Sequence, residues 1–415
     1  MRETDVRTQL AAAGGDALRV LVVGAGVAGL SVAQLLRRDG LHPVLVERGA
    51  PGAAAGYVLA LLPVADPVLD ALGVREAYRA RSTALRRYRA RSRTGRVLRE
   101  ERLDRLVDPY GDYRGIARGE LLRTLAEPGG TVSHGTTVTA LAHTGSAVRA
   151  TLTTRGPGAA GGGGERVEGE FDLVVAADGL RSALRPLLLG KRGTRVVDTG
   201  WDGWVAWAGT DAAEDDLVEE TWGAGFFAGS YPVLGGTGVF VGGPRRRTAA
   251  RSSRFVAAVR ERLTDTGGAL GRALDAVAAA QDPYRWPLTD CRSSRWATGR
   301  VVLLGDAAAG FLPTAGVGAG MAMESAHVLA AHLRGAGAPQ VPAVLAAYER
   351  QQRPRVHAAQ RTSRQLATLV FRRHRALAAV RDLATARVGL GTALAPVTRL
   401  LAHPPPTPRR DGHGT

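Results

Sequence analysis

"LRVLVVGAGVAGLSVAQLLRRDG", residues 18–40, joins an apolar run to a glycine-spaced turn and a helical segment. Leu18 to Val23 suits a buried strand, and the helix begins near Val27 and ends at Gly40. A second apolar strand, "HPVLVE" at 42–47, follows at once, so this part of the chain reads as a βαβ unit. Gly24, Gly26 and Gly29 take the first, third and sixth places of the turn. Those places need, in order, a tight reversal, approach of bare backbone to a ligand, and close packing of helix on strand. The helix start at Val27 and Ala28 then offers free N–H groups and a partial positive charge to a pyrophosphate. Glu47, 18 residues beyond Gly29, ends the second strand, where a carboxylate accepts both hydroxyls of an adenosine ribose.

A second stretch, "GDAAAGFLPTAGVGAG" at 305–320, bears on which dinucleotide to expect. It follows a buried strand, Val301 to Leu304, and leads into the helix "MAMESAHVLAAHL". Asp306 at the turn can accept a hydrogen bond from a sugar-alcohol hydroxyl. The glycines between Pro313 and Gly320 let main-chain N–H groups face a developing anion, and the small residues leave space for a flat ring. A reduced flavin is negative at its N1–C2=O edge and has a ribityl chain. A nicotinamide dehydrogenase would instead need a catalytic acid/base in a second domain, and no histidine or tyrosine stands out in that setting.

Composition sets the outer bounds. At 415 residues with 45% hydrophobic content the chain suits two or three packed domains. Charges interrupt the amino end where a signal peptide needs an apolar core, so a cytoplasmic protein without a membrane partner is expected. A lone cysteine, Cys291, excludes an internal disulfide and a multi-thiolate zinc site, so no metal is expected. The net charge is +17, and of 55 basic residues only Lys191 is a lysine. Arginines are spread along the chain without nucleic-acid-binding spacing, which favours a solvated basic surface over nucleic acid.

Along the chain, residues 1–16 read as a flexible tail. A dinucleotide-binding domain is expected over 17–75, 114–190 and 296–350, and a substrate-binding domain over 76–113 and 191–295. Helices and a proline-rich tail follow over 351–415. "RRYRARSRTGRVLR" at 86–99 alternates around Thr94-Gly95 as a hairpin does, and "GPGAAGGGG" at 156–164 reads as a flexible hairpin tip. The expected fold is α/β: a Rossmann-like FAD-binding domain of glutathione-reductase type, interleaved with a mostly antiparallel sheet, plus carboxyl-terminal helices. The segment 366–402 mixes arginines with apolar positions at helical spacing. Packing on the first domain or on a second subunit is favoured for it over membrane contact.

With these motifs in this order, the chain resembles the class A flavoprotein monooxygenases of the p-hydroxybenzoate hydroxylase and salicylate hydroxylase superfamily. Three stretches carry the resemblance: the turn at 24–29 with Glu47 and Arg48, Asp178-Gly179 in "AADGLRSALR", and Gly305-Asp306 in the stretch at 305–320. The resemblance implies FAD, with Gly24, Gly26 and Gly29 at its pyrophosphate, Glu47 on its adenosine ribose, and Arg118 reaching the flavin. It places Asp306 on the ribityl chain and Gly316, Val317, Gly318 and Ala319 along the isoalloxazine, while Asp178 is associated with both FAD and NADPH. The implied reaction reduces FAD with NADPH or NADH. Oxygen then yields a C4a-hydroperoxyflavin that hydroxylates or epoxidises an aromatic or polyketide-like small molecule. Many members carry histidine and proline where Ala309 and Gly310 stand, and an aspartate where Ser325 follows Glu324, which implies a wider or more apolar pocket.

For the substrate, Tyr57, Trp204, Trp207 and Phe226 are the named candidates, with Trp222, Phe227 and Tyr231 as further aromatics of the second sheet. The alternative activity is that of an oxidase or reductase of the same superfamily, transferring hydride without oxygen insertion. A flavin-dependent halogenase is disfavoured, since the single lysine lies outside the expected early segment and no W-x-W-x-I-P stretch occurs. Monomer and homodimer both remain open.

Overall fold

Val20–Val23, buried at every residue, is an inner strand of a five-stranded sheet. This computed structural model describes residues 1–52, 56–155, 164–190, 192–209, 214–249 and 251–406. The sheet order is Ala297–Thr298, Val301–Leu303, Leu173–Ala176, Val20–Val23, Val44–Val46, parallel apart from the first pair. Near-continuous Val and Leu runs suit it, because a parallel sheet is covered on both faces. The helices Val27–Arg38 and Gly318–Leu333 pack against each other over it.

The second sheet has eight strands, in the order Ala309–Gly310, Tyr284–Ser293, Thr194–Ala208, Gly236–Pro244, Phe227–Val233, Leu217–Trp222, Arg87–Ser92, Val97–Arg102. It is antiparallel except where Leu217–Trp222 meets Arg87–Ser92. The expected hairpin at 86–99 forms, turning at Gly95 with φ +77°. One face is covered by the helices Ser252–Arg260 and Gly268–Ala279, through Phe226, Val239, Val241, Phe255 and Leu274. The other carries Trp201, Val205, Trp222, Phe227, Phe240 and Leu288 toward Leu312, Ala367 and Val370.

The two sheets are stitched together at the 305–320 stretch. Ala309–Gly310 leaves the Asp306 turn and pairs with Arg292 and Cys291 of the large sheet. The helix Val341–Val370 then clamps this junction. Its Gln360 Nε2 donates to the carbonyls of Cys291 (2.8 Å) and Gly310 (2.6 Å), and its Ser363 Oγ donates to Leu312 O (2.6 Å). Arg364 grips the buried Asp290 through two bonds of 2.7 and 2.8 Å.

Three expectations need correction or restriction. The supposed tail is folded: Arg2–Glu3 pairs with Thr131–Val132, and Val6–Ala12 is a helix whose Asp5 cap accepts from Thr8 N. Buried Gln9 there both donates to and accepts from the Leu45 backbone, closing the edge of the nucleotide sheet. The boundary drawn at 350 falls inside one 30-residue helix, Val341–Val370. Most of the glycine run, 156–163, lies outside the described residues, as does Lys191; the strands flanking the run pair antiparallel, Thr154 opposite Glu165.

Candidate active site

All four parallel strands end on one edge of the nucleotide sheet, and each is followed by a singled-out residue. Val23 leads to Gly24, Val46 to Glu47, Ala176 to Ala177-Asp178, and Leu303 to the Gly305-Asp306 turn. In open α/β sheets this edge, where strand order reverses, is the ligand site.

The glycine turn permits no side chain where the chain crosses itself. Gly24 has φ +103°, and a methyl there would overlap the Ala177 carbonyl oxygen; one on Gly29 would overlap the Gly24 carbonyl oxygen. Gly26 differs: a methyl there meets only the Arg118 guanidinium, at 4.0 Å, so its face is open toward a ligand. No side chain caps the helix that starts at Val27 and Ala28, nor the one that starts at Gly318 and Ala319. Both therefore present free N–H groups to the cleft. Val317 is buried beneath the second of these, and Gly316, at φ +64°, closes the 3₁₀ turn that begins with Pro313. Gly305, at φ +60°, lies where a side chain would collide with Ala28.

Glu47 holds the turn itself, accepting from Ala25 N (2.8 Å) and Gly49 N (2.7 Å). Arg48 beside it is exposed. Asp178 caps the helix Leu184–Leu189 through one oxygen, with Ala183 N at 2.7 Å and Leu184 N at 3.1 Å, while its buried Oδ1 has no partner within the chain. Gly179 follows at φ +80° with open space around it. Asp306 faces the open cleft yet is walled in by protein. This enclosure pushes its carboxyl up to about 6, against the opposing pull of Arg185 and Arg118.

Tyr57 and Arg118 are brought side by side because Val58–Leu61 pairs antiparallel with Arg114–Ala117. Arg118 N donates to Tyr57 O (3.0 Å), and its guanidinium lies 5.8 Å over the Tyr57 ring. The Tyr57 ring meets Trp286 at 4.6 Å and Tyr284 at 6.0 Å. The Tyr57 and Trp286 rings, with Trp201, Trp222, Phe227, Phe240 and Leu312, form an aromatic wall between the 305–320 stretch and the large sheet, and Tyr284 lies exposed at its rim. Beside this wall stands Glu220, half-buried. It accepts from Tyr88 Oη (2.8 Å), Tyr231 Oη (2.8 Å) and Trp222 Nε1 (3.0 Å), and burial raises its carboxyl above the usual range despite those donors.

The substrate candidates thus divide. Tyr57, Trp222 and Phe227 belong to the wall, Tyr231 reaches it through Glu220, and Trp207 follows Val205 on that sheet face, exposed at its end. Phe226 and Trp204 do not belong there: they point through the sheet to the helix-covered core with Val239 and Phe255. Sequence reasoning missed Tyr284, Trp286 and Glu220. The i, i+2 spacing of Tyr284, Trp286 and Leu288 on one strand was the available signal for the first two. Nothing local marks Glu220, whose partners come from three strands.

The donor set fits FAD. Open glycine faces and uncapped helix starts suit its phosphates, and an enclosed carboxyl beside free N–H groups suits its sugar-alcohol chain and anionic ring edge. Fold and site together define a flavoprotein of the glutathione-reductase type. The FAD binding domain family matches residues 17–363. The 3-amino-4-hydroxybenzoate 2-monooxygenase of Streptomyces cremeus is 32% identical over 365 residues, covering 84% of this chain and 87% of that protein. That of Streptomyces platensis, PtnB3, is 32% identical over 359 residues with the same coverage. Klebsiella pneumoniae HpxO, solved with FAD and uric acid, shares the fold with a TM-score of 0.79 at 24% identity, over 93% of this chain and 97% of that one. The chain belongs to the FAD-dependent monooxygenases.

Proposed function

We propose that this enzyme uses NADPH or NADH and molecular oxygen to hydroxylate an electron-rich aromatic compound, a phenol or aminophenol, held against the aromatic wall. The observation that carries the reading is the contact of that wall with the 305–320 stretch through Leu312, which sets aromatic side chains directly beside the flavin cradle. The Streptomyces relatives, whose names specify an aminohydroxybenzoate, support an aromatic ring as substrate. FAD, when bound, supplies electron transfer from the nicotinamide to oxygen and so the oxidising power.

The chain's own residues do the rest. Gly24, Gly26 and Gly29 bind the pyrophosphate through bare backbone, and Asp306 orients the ribityl chain. The free N–H groups at Gly318 and Ala319 stabilise negative charge on the ring edge. Tyr57, Trp286 and Phe240 exclude water and hold the substrate ring by stacking. A substrate hydroxyl gives its proton to Tyr231 Oη as Tyr231 passes its own to Glu220 Oε1, leaving the ring more electron-rich. A carboxyl raised by burial is the better acceptor for that proton.

The test is to incubate the FAD-loaded enzyme with NADPH or NADH, ¹⁸O₂ and a panel of hydroxybenzoates, aminophenols and polycyclic phenols. Expected is substrate-accelerated nicotinamide oxidation with ¹⁸O in the product. Hydrogen peroxide equal to the nicotinamide consumed, whatever the ligand, overturns oxygen insertion in favour of oxidase chemistry.

A further inference from the structure

The helix Arg375–Arg387 is turned inside out. Its inward face carries buried Arg381, whose guanidinium donates to the carbonyls of Trp222 (2.9 Å), Val370 (3.2 Å) and Gly223 (3.4 Å) and pairs with Asp382 at 2.7 Å. It also lies 5.5 Å over the Trp222 ring. The outward face shows Leu377 (49% exposed), Val380 (65%) and Leu383 (54%), and the stripe ends at Val388 (46%). With i, i+3 spacing these make one continuous apolar stripe, the reverse of a helix packed on a core. Val97 of the adjoining edge strand, also exposed, extends it.

The surroundings of this stripe are basic. Around Gly225, beside the helix's amino end, lie the Arg247 and Arg262 guanidinium groups and the Arg373 backbone, with Arg375 close enough to act on Arg262. None of these four arginines forms an ion pair with a described residue, although the neighbouring Glu261 carboxylate also acts on Arg262. Arg387 closes the other end of the helix, exposed. A second copy of the same face would set these arginines against one another across a two-fold axis, so self-association there is disfavoured. An exposed apolar stripe rimmed by arginines without ion-pair partners has the form of a helix lying in the headgroup region of a bilayer.

We infer that the outer face of Arg375–Arg387, with Arg247, Arg262, Arg373 and Arg375, docks on an anionic lipid surface as a peripheral site. Leu377, Val380 and Leu383 enter the acyl boundary while the arginines pair with lipid phosphates. No described helix is long and apolar enough to cross a membrane, so the contact is superficial. The same helix covers Trp222, and the chain entering it stacks Phe371 on Trp201 at 4.9 Å, so the docked face backs onto the aromatic wall.

The test is flotation of the full-length, FAD-loaded protein at physiological salt with vesicles of phosphatidylcholine alone or containing about one third phosphatidylglycerol. Expected is binding to the anionic vesicles only. Val380→Glu with Leu383→Glu, and separately Arg247→Gln with Arg373→Gln and Arg375→Gln, should each cut it by roughly tenfold or more while flavin content and melting temperature stay unchanged. Three results overturn the inference: no flotation with anionic vesicles, flotation of the glutamate variant equal to the parent as a mere polycation would show, or a solution dimer that the glutamate variant splits.

Discussion

At the residue scale, the site depends on atoms that leave no room. Gly29→Ala forces a methyl onto the Gly24 carbonyl, so the helix must move off the strand and the pyrophosphate cradle opens. The purified variant should lose bound FAD, read as the flavin-to-protein absorbance ratio, and melt at a lower temperature. Asp306 gives a pH signature. Its carboxyl, raised to about 6, accepts a ribityl hydroxyl more strongly when ionised, so FAD binding favours the ionised form and draws off its proton. FAD affinity should therefore rise as pH increases toward 6, by at most about tenfold per unit, and level off above it. Asp306→Asn should flatten this profile, as followed by quenching of flavin fluorescence. The stability of the ligand-free protein runs the other way. A carboxyl raised on folding favours the folded state below the usual aspartate range, and that contribution is lost as pH climbs through about 6. Glu220→Gln should lower kcat for phenolic substrates most at the pH where the free phenol is neutral, and least where it is already ionised, in a pH–rate comparison.

At the element scale, the 305–320 stretch owes its shape to the helix Val341–Val370. Removing Arg364 leaves Asp290 buried and unpaired, a loss of about 3–5 kcal/mol. Arg364→Ala should show it in urea unfolding, with flavin released early because Asp290 lies on the strand that holds Ala309–Gly310. Glu324, noted beside Ser325, is bound up in the same helix pair: Arg355 grips it bidentately and Gln352 donates to it at 2.8 Å. It therefore supports the cradle from behind. Ala309 and Gly310 serve as a short edge strand, and a side chain on Gly310 would strike Leu180.

At the scale of the whole molecule, the aromatic wall is assembled from different sheets. Tyr57 precedes Val58–Leu61 of a small three-stranded sheet, Trp286 stands on the eight-stranded one, and their rings lie 4.6 Å apart. Trp286→Ala should raise KM for an aromatic substrate by roughly twofold to tenfold with a smaller effect on kcat, since stacking is worth about 0.5–1.5 kcal/mol and is made in ground and transition states alike. Steady-state kinetics with the first substrate found will measure it.

The nucleotide half was legible in the sequence, because its requirements are local. A buried parallel strand is a run of Val and Leu, and a turn pressed against its own carbonyl needs glycine at Gly24 and Gly29. The acid that follows a strand, as at Glu47 and Asp306, is placed by the strand's end. The substrate half was not legible, since the two faces of an antiparallel strand carry aromatics of equal hydrophobicity. Only the docking of the helices Ser252–Arg260 and Gly268–Ala279 sends Phe226 and Trp204 into one core and leaves Trp222 and Phe227 for the aromatic wall. The folded amino end, the Glu220 cluster and the outward leucines of Arg375–Arg387 share that origin: each depends on partners distant in sequence, which tertiary packing alone brings together.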